Sequence, residues 1–263
     1  MAHFSPAGLA RLGAIAGAAL LGMPIQMLAL KLNLRAAHHI PVWFHRAVCR
    51  SMGVRIHQSG QRPLPREAML IVANHVSWLD ISVIGASRPL VFVAKAELRA
   101  WPGFGLLARL QRTVFVDRNR RSTTGTAAAE MGSRLGAGEA VVLFAEGTTS
   151  DGSRILPFKS SLLGAVREAL GDSASGKLLV QPLSIVYRGR HGIAEGRRGR
   201  ADLAWAGDID LVPHLVHVLN GGPIDVHLVW GEPIRASAQD SRKVITAAAE
   251  AQVRRGFQAA IRH

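Results

Sequence analysis

Residues 74–80 read Asn-His-Val-Ser-Trp-Leu-Asp, which sets a histidine and an aspartate five positions apart. Imidazole titrates near neutral pH, so His75 is a candidate general base. A carboxylate on one ring nitrogen would fix the tautomer and support the imidazolium formed when the other nitrogen takes a proton. That role is open to Asp80 if the chain turns back after residue 77. Residues 140–150 read Ala-Val-Val-Leu-Phe-Ala-Glu-Gly-Thr-Thr-Ser, an apolar run ending in an acid, a glycine and three hydroxyls. Gly147 would let backbone N–H groups approach a ligand closely. Glu146 is an odd loop residue unless it binds something or pairs with a base. Between the two lies Thr113-Val114-Phe115-Val116-Asp117-Arg118, a third run ending in charge.

The elements that must position these groups are strands. Ala68–Ala73 is short, apolar and β-leaning, as expected of a strand covered on both faces. Polar clusters at the carboxyl ends of such strands sit where open α/β sheets build their sites. Strand-like runs fall near 54–57, 68–73, 90–94, 113–116, 140–144, 178–186 and 224–230. Helix-like stretches fall near 79–86, 103–110, 122–136, 159–170, 211–219 and 240–261. This alternation predicts an α/β fold with a mixed, mostly parallel central sheet flanked by helices.

Asn74-His75-x-Ser77-Trp78-Leu79-Asp80, Phe115-Val116-Asp117-Arg118, Phe144-Ala145-Glu146-Gly147-Thr148-Thr149-Ser150 and Val180-Gln181-Pro182-Leu183 together resemble the four ordered blocks of the glycerolipid acyltransferase family. The likeness runs from about residue 65 to 190. Ala145 stands where the family usually has proline, and Thr149 where it usually has arginine. The resemblance implies that His75 deprotonates an acceptor hydroxyl, which attacks an acyl thioester directly, and that Asp80 orients the base. It implies substrate binding by Arg118, Glu146, Gly147 and Thr148, and places Lys95 near the mouth of an acyl tunnel. Backbone amides near Gly147 could stabilise the tetrahedral oxyanion. No protein nucleophile, cofactor or metal is needed. Cys49 lies in an apolar, basic helix and reads as packing. Ser77 reads as a cap or supporting hydroxyl, because no Gly-x-Ser-x-Gly elbow surrounds it.

Lysine and arginine total 32 against 18 acidic residues, a formal charge of +14, which favours a polyanionic partner. Aromatic residues make up only 5% and no nucleic-acid motif occurs, so an anionic membrane surface is expected and nucleic acid is not. One cysteine excludes an intrachain disulfide. Residues 12–30 carry no charge and as a helix would span about 28 Å, close to a hydrocarbon core. Pro24 and Gln26 suggest a kink or shallow embedding. Pro41–Met52 mixes Trp43, Phe44, Val48 and Met52 with His45, Arg46 and Arg50, as suits a helix at a lipid interface. Residues 1–52 are therefore expected to form a helical membrane motif, and residues 53–263 the catalytic domain. A cleaved signal peptide fits the length, but not an enzyme that needs a cytosolic thioester.

Trp101–Leu110 could line an acyl channel. Tyr187–Arg200 is a basic, glycine-rich stretch expected to be a loop. Residues 171–178 approach a phosphate-binding loop but end in leucine and run helix-to-strand, which excludes the motif. His38, His39 and His45 lack an acidic or cysteine partner at metal-site spacing. Asp210 is a candidate cap for a helix with Pro213 in its first turn. The expectation is an inner-membrane acyltransferase with its site facing the cytoplasm. It would move an acyl group from acyl-CoA or acyl carrier protein to the second hydroxyl of 1-acylglycerol-3-phosphate, giving phosphatidic acid. Lyso-ornithine lipid, or another lysolipid, is the alternative acceptor. A non-catalytic basic membrane or nucleic-acid binding protein is the rival of another class.

Overall fold

The computed structural model describes residues 3–64, 67–117, 121–161, 163, 177–207, 209–237 and 239–262. Among them, nine strands join one mixed sheet: β1 (Val54–Gly60), β2 (Met69–Ala73), β3 (Val91–Lys95), β4 (Val114–Val116), β5 (Ala140–Phe144), β6 (Lys177–Arg190), β7 (Ile193–Ala194), β8 (Ile224–Trp230) and β9 (Ile234–Ser237). The order is β1-β8-β6-β2-β5-β3-β4, with β7 and β9 paired to β6. The run β6-β2-β5-β3-β4 is parallel, while β8 is antiparallel to β6.

β2 and β5 are buried at every position, because helices cover both faces of the sheet. Alternate residues point to opposite sides. Leu70, Val72, Val141 and Leu143 pack in one core with α5 (Arg121–Gly136) and the C-terminal helix Arg242–Arg262. Met69, Ile71, Val142 and Phe144 pack in the other, with α2 (Ile40–Ser51) and α3 (Asp80–Gly85). Ala73 pairs with Phe144 in register, so the chains that leave β2 and β5 emerge side by side. That register brings two distant sequence clusters together.

The N-terminal helix α1 (Pro6–Lys31) has 26 residues and would extend about 39 Å. It continues through Pro24 without a break in the helix. Gln26 is buried, and its side-chain amide donates to the carbonyls of Ala37 and Leu110 at 3.0 and 2.8 Å. Arg11 donates to the carbonyls of Leu219 and Gly221. The polar residues of α1 thus hold it against the fold. Its outer face leaves Leu20 and Leu21 68% and 74% exposed, and Trp43 of α2 is 69% exposed. Among the described residues, α1 is the one helix long and apolar enough to cross a membrane, and this apolar face suggests membrane association.

The Tyr187–Arg200 stretch is not a loop. Its first residues extend β6 to Arg190, two more form β7, and Arg197–Ala201 is a helical turn. The long-range pairing of Tyr187 with Val226 on β8 overrides the local glycine and arginine composition. Asp210 stands at the N-cap of the Leu211–Asn220 helix, but its side chain makes no capping hydrogen bond. Arg118 and Arg120, residues 164–176 and most of the helix expected over 159–170 lie outside the described residues.

Candidate active site

His75 and Asp80 meet just beyond the carboxyl end of β2. His75 Nδ1 lies 2.8 Å from Asp80 Oδ2, and the amides of Val76 and Ser77 donate to the same oxygen at 2.7 and 3.0 Å. The other oxygen, Oδ1, accepts from the Tyr187 hydroxyl at 2.7 Å. Asp80 is fully buried, yet every part of its carboxylate is occupied by donors, as a buried acid requires. With Nδ1 committed to Asp80, Nε2 is left for the cavity that His75 lines. Phe144 stacks under the ring, centroids 3.9 Å apart and planes at 15°, which fixes its orientation.

The loops after β2 and β5 are bound to each other mainly through backbone. Ala145 N donates to Ala73 O at 3.1 Å, and Ser150 donates to His75 O through both its amide and its hydroxyl. Asn74 is fully buried. Its amide group takes Ile185 N and donates to Ile185 O at 2.8 and 3.0 Å, extending the β2–β6 ladder by one side chain.

Glu146 is placed otherwise than a substrate-binding residue. It is 1% exposed and off the cavity wall. Its two oxygens accept from Leu156 N at 2.9 Å and His75 N at 3.3 Å. Those amides sit where no strand supplies an acceptor, so the carboxyl serves as a brace between loops. Burial pushes its pKa up to about 8, outweighing the two amide bonds that oppose the rise. An unfolded glutamate ionises near 4.5, so between that pH and about 8 the folded state binds more protons. Stability should therefore fall as pH rises through this window. Glu146→Gln should flatten that decline in melting temperature between pH 5 and 8; an unchanged slope would place the titration elsewhere.

Gly147 adopts φ +72° and its amide closes a turn onto Phe144 O at 3.1 Å, so this amide is not free to face an oxyanion. Gly147, Thr148 and Thr149 nevertheless line the cavity beside His75. Of the two roles expected for Ser77, a cap or a supporting hydroxyl, the structure does not show the cap: Leu79 holds the N-cap position of α3, and the buried Ser77 hydroxyl finds no partner among the described residues. Cys49 is buried with its thiol pushed up to about 12 by desolvation, which removes it as a nucleophile. His45 is also buried, and burial pushes it down to about 4.

The cavity holds about 640 Å³, within the roughly 300–1,000 Å³ usual for small-molecule sites. Its walls are mostly apolar. Leu12, Ile15 and Met23 of α1 face Trp101, Phe104 and Leu107 from the stretch expected to line an acyl channel. Lys95 lines it from the end of β3, and Glu97 does so two residues on; both are exposed. The role of α1 as a cavity wall is not legible from its residues, since its apolar side chains read equally as lipid-facing. Tyr187 was also missed. It is the chain's single tyrosine, set in a strand of aliphatic residues, where a buried ring must find a partner for its hydroxyl.

Residues 55–186 match the family described as Acyltransferase. The chain is 45% identical over 241 residues to the lyso-ornithine lipid O-acyltransferase of Brucella abortus, covering 91% of this chain and 89% of that one. It is 38% identical over 110 residues to the 1-acyl-sn-glycerol-3-phosphate acyltransferase of Neisseria gonorrhoeae, covering 41% and 43%. In fold it is similar to the crystal structure of the 1-acyl-sn-glycerophosphate acyltransferase from Thermotoga maritima. The TM-score there is 0.55 at 22% identity, over 91% of this chain and 95% of that one.

Proposed function

The chain belongs to the acyltransferase family, and from that premise we propose that it acylates a lysolipid, with lyso-ornithine lipid as the acceptor. The observation that carries the chemistry is His75 Nδ1 held 2.8 Å from a buried, fully donor-bound Asp80 at the mouth of an apolar cavity. In this reading His75 Nε2 takes the proton of the acceptor hydroxyl. The hydroxyl oxygen bonds to the thioester carbonyl carbon, the C–S bond breaks, and the departing thiolate recovers the proton from the imidazolium. Asp80 holds the ring and supports its charge. The donor chain lies in the cavity, and the carrier thiol is that of coenzyme A or acyl carrier protein. The apolar face of α1 rests in the inner membrane, with the site toward the cytoplasm where such thioesters are made.

Similarity over nine-tenths of the chain favours lyso-ornithine lipid over the phosphate acceptor, which was the first expectation. The cavity's chemistry supports the same choice. Thr149 offers no charge where the resembling family usually has arginine, and among the described lining residues Lys95 is the cation and Glu97 the acid. An amino-acid headgroup bears a carboxylate and an ammonium that this pair can answer, whereas Glu97 would repel a phosphate. A panel of lyso-acceptors with one acyl-CoA, read by product mass, should show acylation of lyso-ornithine lipid. Sole acylation of 1-acylglycerol-3-phosphate would sink the acceptor assignment and leave the chemistry standing. Glu97→Lys should cut kcat/KM for lyso-ornithine lipid about three- to fivefold, the scale of an exposed ion pair. It should not cut that for the phosphate acceptor.

A further inference from the structure

A second hollow, of about 330 Å³, lies on the other side of the catalytic loops. Arg154, Arg197, Arg200, Arg254 and Arg262 line it around Phe257, and no acidic side chain is among its described lining residues. Five guanidinium groups facing one space repel one another, a cost that an anion would relieve. Arg254 is paired with Glu250 at 2.7 Å, and Arg200 donates one N–H to the Glu195 carbonyl while its Nε is buried without a partner. Asp151 is a second acid nearby. It accepts from the amide and hydroxyl of Ser153 and feels the charges of Arg154 and Arg197. The side chains of Arg154, Arg197 and Arg262 make no hydrogen bond to any described residue, so their planar forks remain open to a phosphate.

This hollow shares two walls with the acyl cavity. One loop lines the cavity with Gly147, Thr148 and Thr149 and the hollow with Ser153, Arg154 and Ile155. Another segment lines the hollow with Arg197 and Arg200 and the cavity with Trp205 and Gly207. Thr149 and Arg154 are five residues apart, so their Cα atoms are separated by at most about 18 Å. Gly152 sits tightly between them: a Cβ there would meet Val76 at 3.1 Å and the Arg200 carbonyl at 3.4 Å. The hollow therefore lies no more than about 18 Å, Cα to Cα, from the cavity wall at Thr149.

Resting on the reading that a carrier thioester is the donor, we propose that the five-arginine hollow holds the phosphate of the donor's phosphopantetheine arm. Coenzyme A and acyl carrier protein share that group, and the experiment separates them. Arg154→Ala/Arg197→Ala in the full-length protein removes two exposed side chains that make no hydrogen bond to a described residue. kcat/KM is measured with acyl-CoA, with acyl carrier protein, and with the same acyl group on N-acetylcysteamine, which lacks phosphate. The ratio of carrier donor to phosphate-free donor should fall about tenfold or more, as expected for lost charge-assisted hydrogen bonds. The donor that suffers the loss identifies the carrier. Arg242→Ala/Arg255→Ala, which removes the same charge elsewhere on the C-terminal helix, should leave the ratio unchanged. An equal loss for all three donors overturns the proposal. So does weakened binding to phosphatidylglycerol vesicles with unchanged ratios, which would make the hollow a lipid-surface site. Equilibrium binding of coenzyme A and of holo-acyl carrier protein supplies a readout without turnover. If no acyl group is transferred at all yet one probe binds the wild type and not the variant, the functional reading fails while the phosphate site stands.

Discussion

Replacing His75 by alanine is expected to lower acyl transfer by about 10²–10⁴-fold, the range for loss of a positioned general base. The fold should survive the change, because the loop is held by main-chain groups that alanine retains. The His75 amide still donates to Glu146, and its carbonyl still accepts from Ser150. What disappears is the Nδ1 contact to Asp80 and the stack on Phe144. Among the described lining residues no second imidazole can stand in. His45 lines the same cavity, but burial pushes it down to about 4, which makes it a poor proton acceptor at neutral pH. The check is thiol release by purified His75→Ala with lysolipid acceptor, beside its thermal unfolding curve. Near-normal turnover by a folded variant would remove His75 from the chemistry.

Much of this site was legible because its supports are local. The continuous apolar runs at 69–73 and 140–144 are short and β-leaning, as suits strands covered on both faces, and polar residues at their carboxyl ends mark a sheet edge. His75 and Asp80 are close in sequence, so a single turn brings them together. The illegible parts depend on long-range pairing. Tyr187 reaches Asp80 from 107 residues away, and nothing local in a run of strand residues marks which side chain will do so. β7 and β9 are short and exist through pairing with β6, so their own composition is weak evidence for them. Glu146 shows a different limit. Its position in a recognisable block suggests a ligand contact, but only coordinates reveal that two backbone amides occupy it. The polar residues of α1 show the same limit: Gln26 reads as a flaw in a membrane helix until Ala37 and Leu110 appear as its partners.

Asp80→Asn is expected to reduce kcat by about 10²–10⁴-fold while leaving KM for both substrates near wild type, because it alters the base and not the cavity. Asp80 is fully buried and reaches no cavity atom except through His75, so it acts as a positioning residue. Asparagine has two ways to fit. With its oxygen at the Oδ2 position it still accepts from His75, Val76 and Ser77, and its amide meets the Tyr187 hydroxyl, which can accept. With the amide turned toward His75, two backbone N–H groups lose their acceptor and the ring is forced into the other tautomer. Three donors against one favour the first arrangement, so the loss arises mainly from the missing negative charge beside the imidazolium. That charge is worth about 4 kcal/mol at 4 Å and an effective dielectric of 20, which corresponds to about 10³-fold. Tyr187→Phe, which keeps the charge and removes one donor, should cost far less, about tenfold in kcat. If Asp80 works through His75, the pair acts as a unit. His75→Ala/Asp80→Asn should then transfer acyl groups no more slowly than His75→Ala alone. A further multiplicative drop in the double variant, with both proteins folded by thermal unfolding, would mean that Asp80 supports activity by a route that bypasses the histidine.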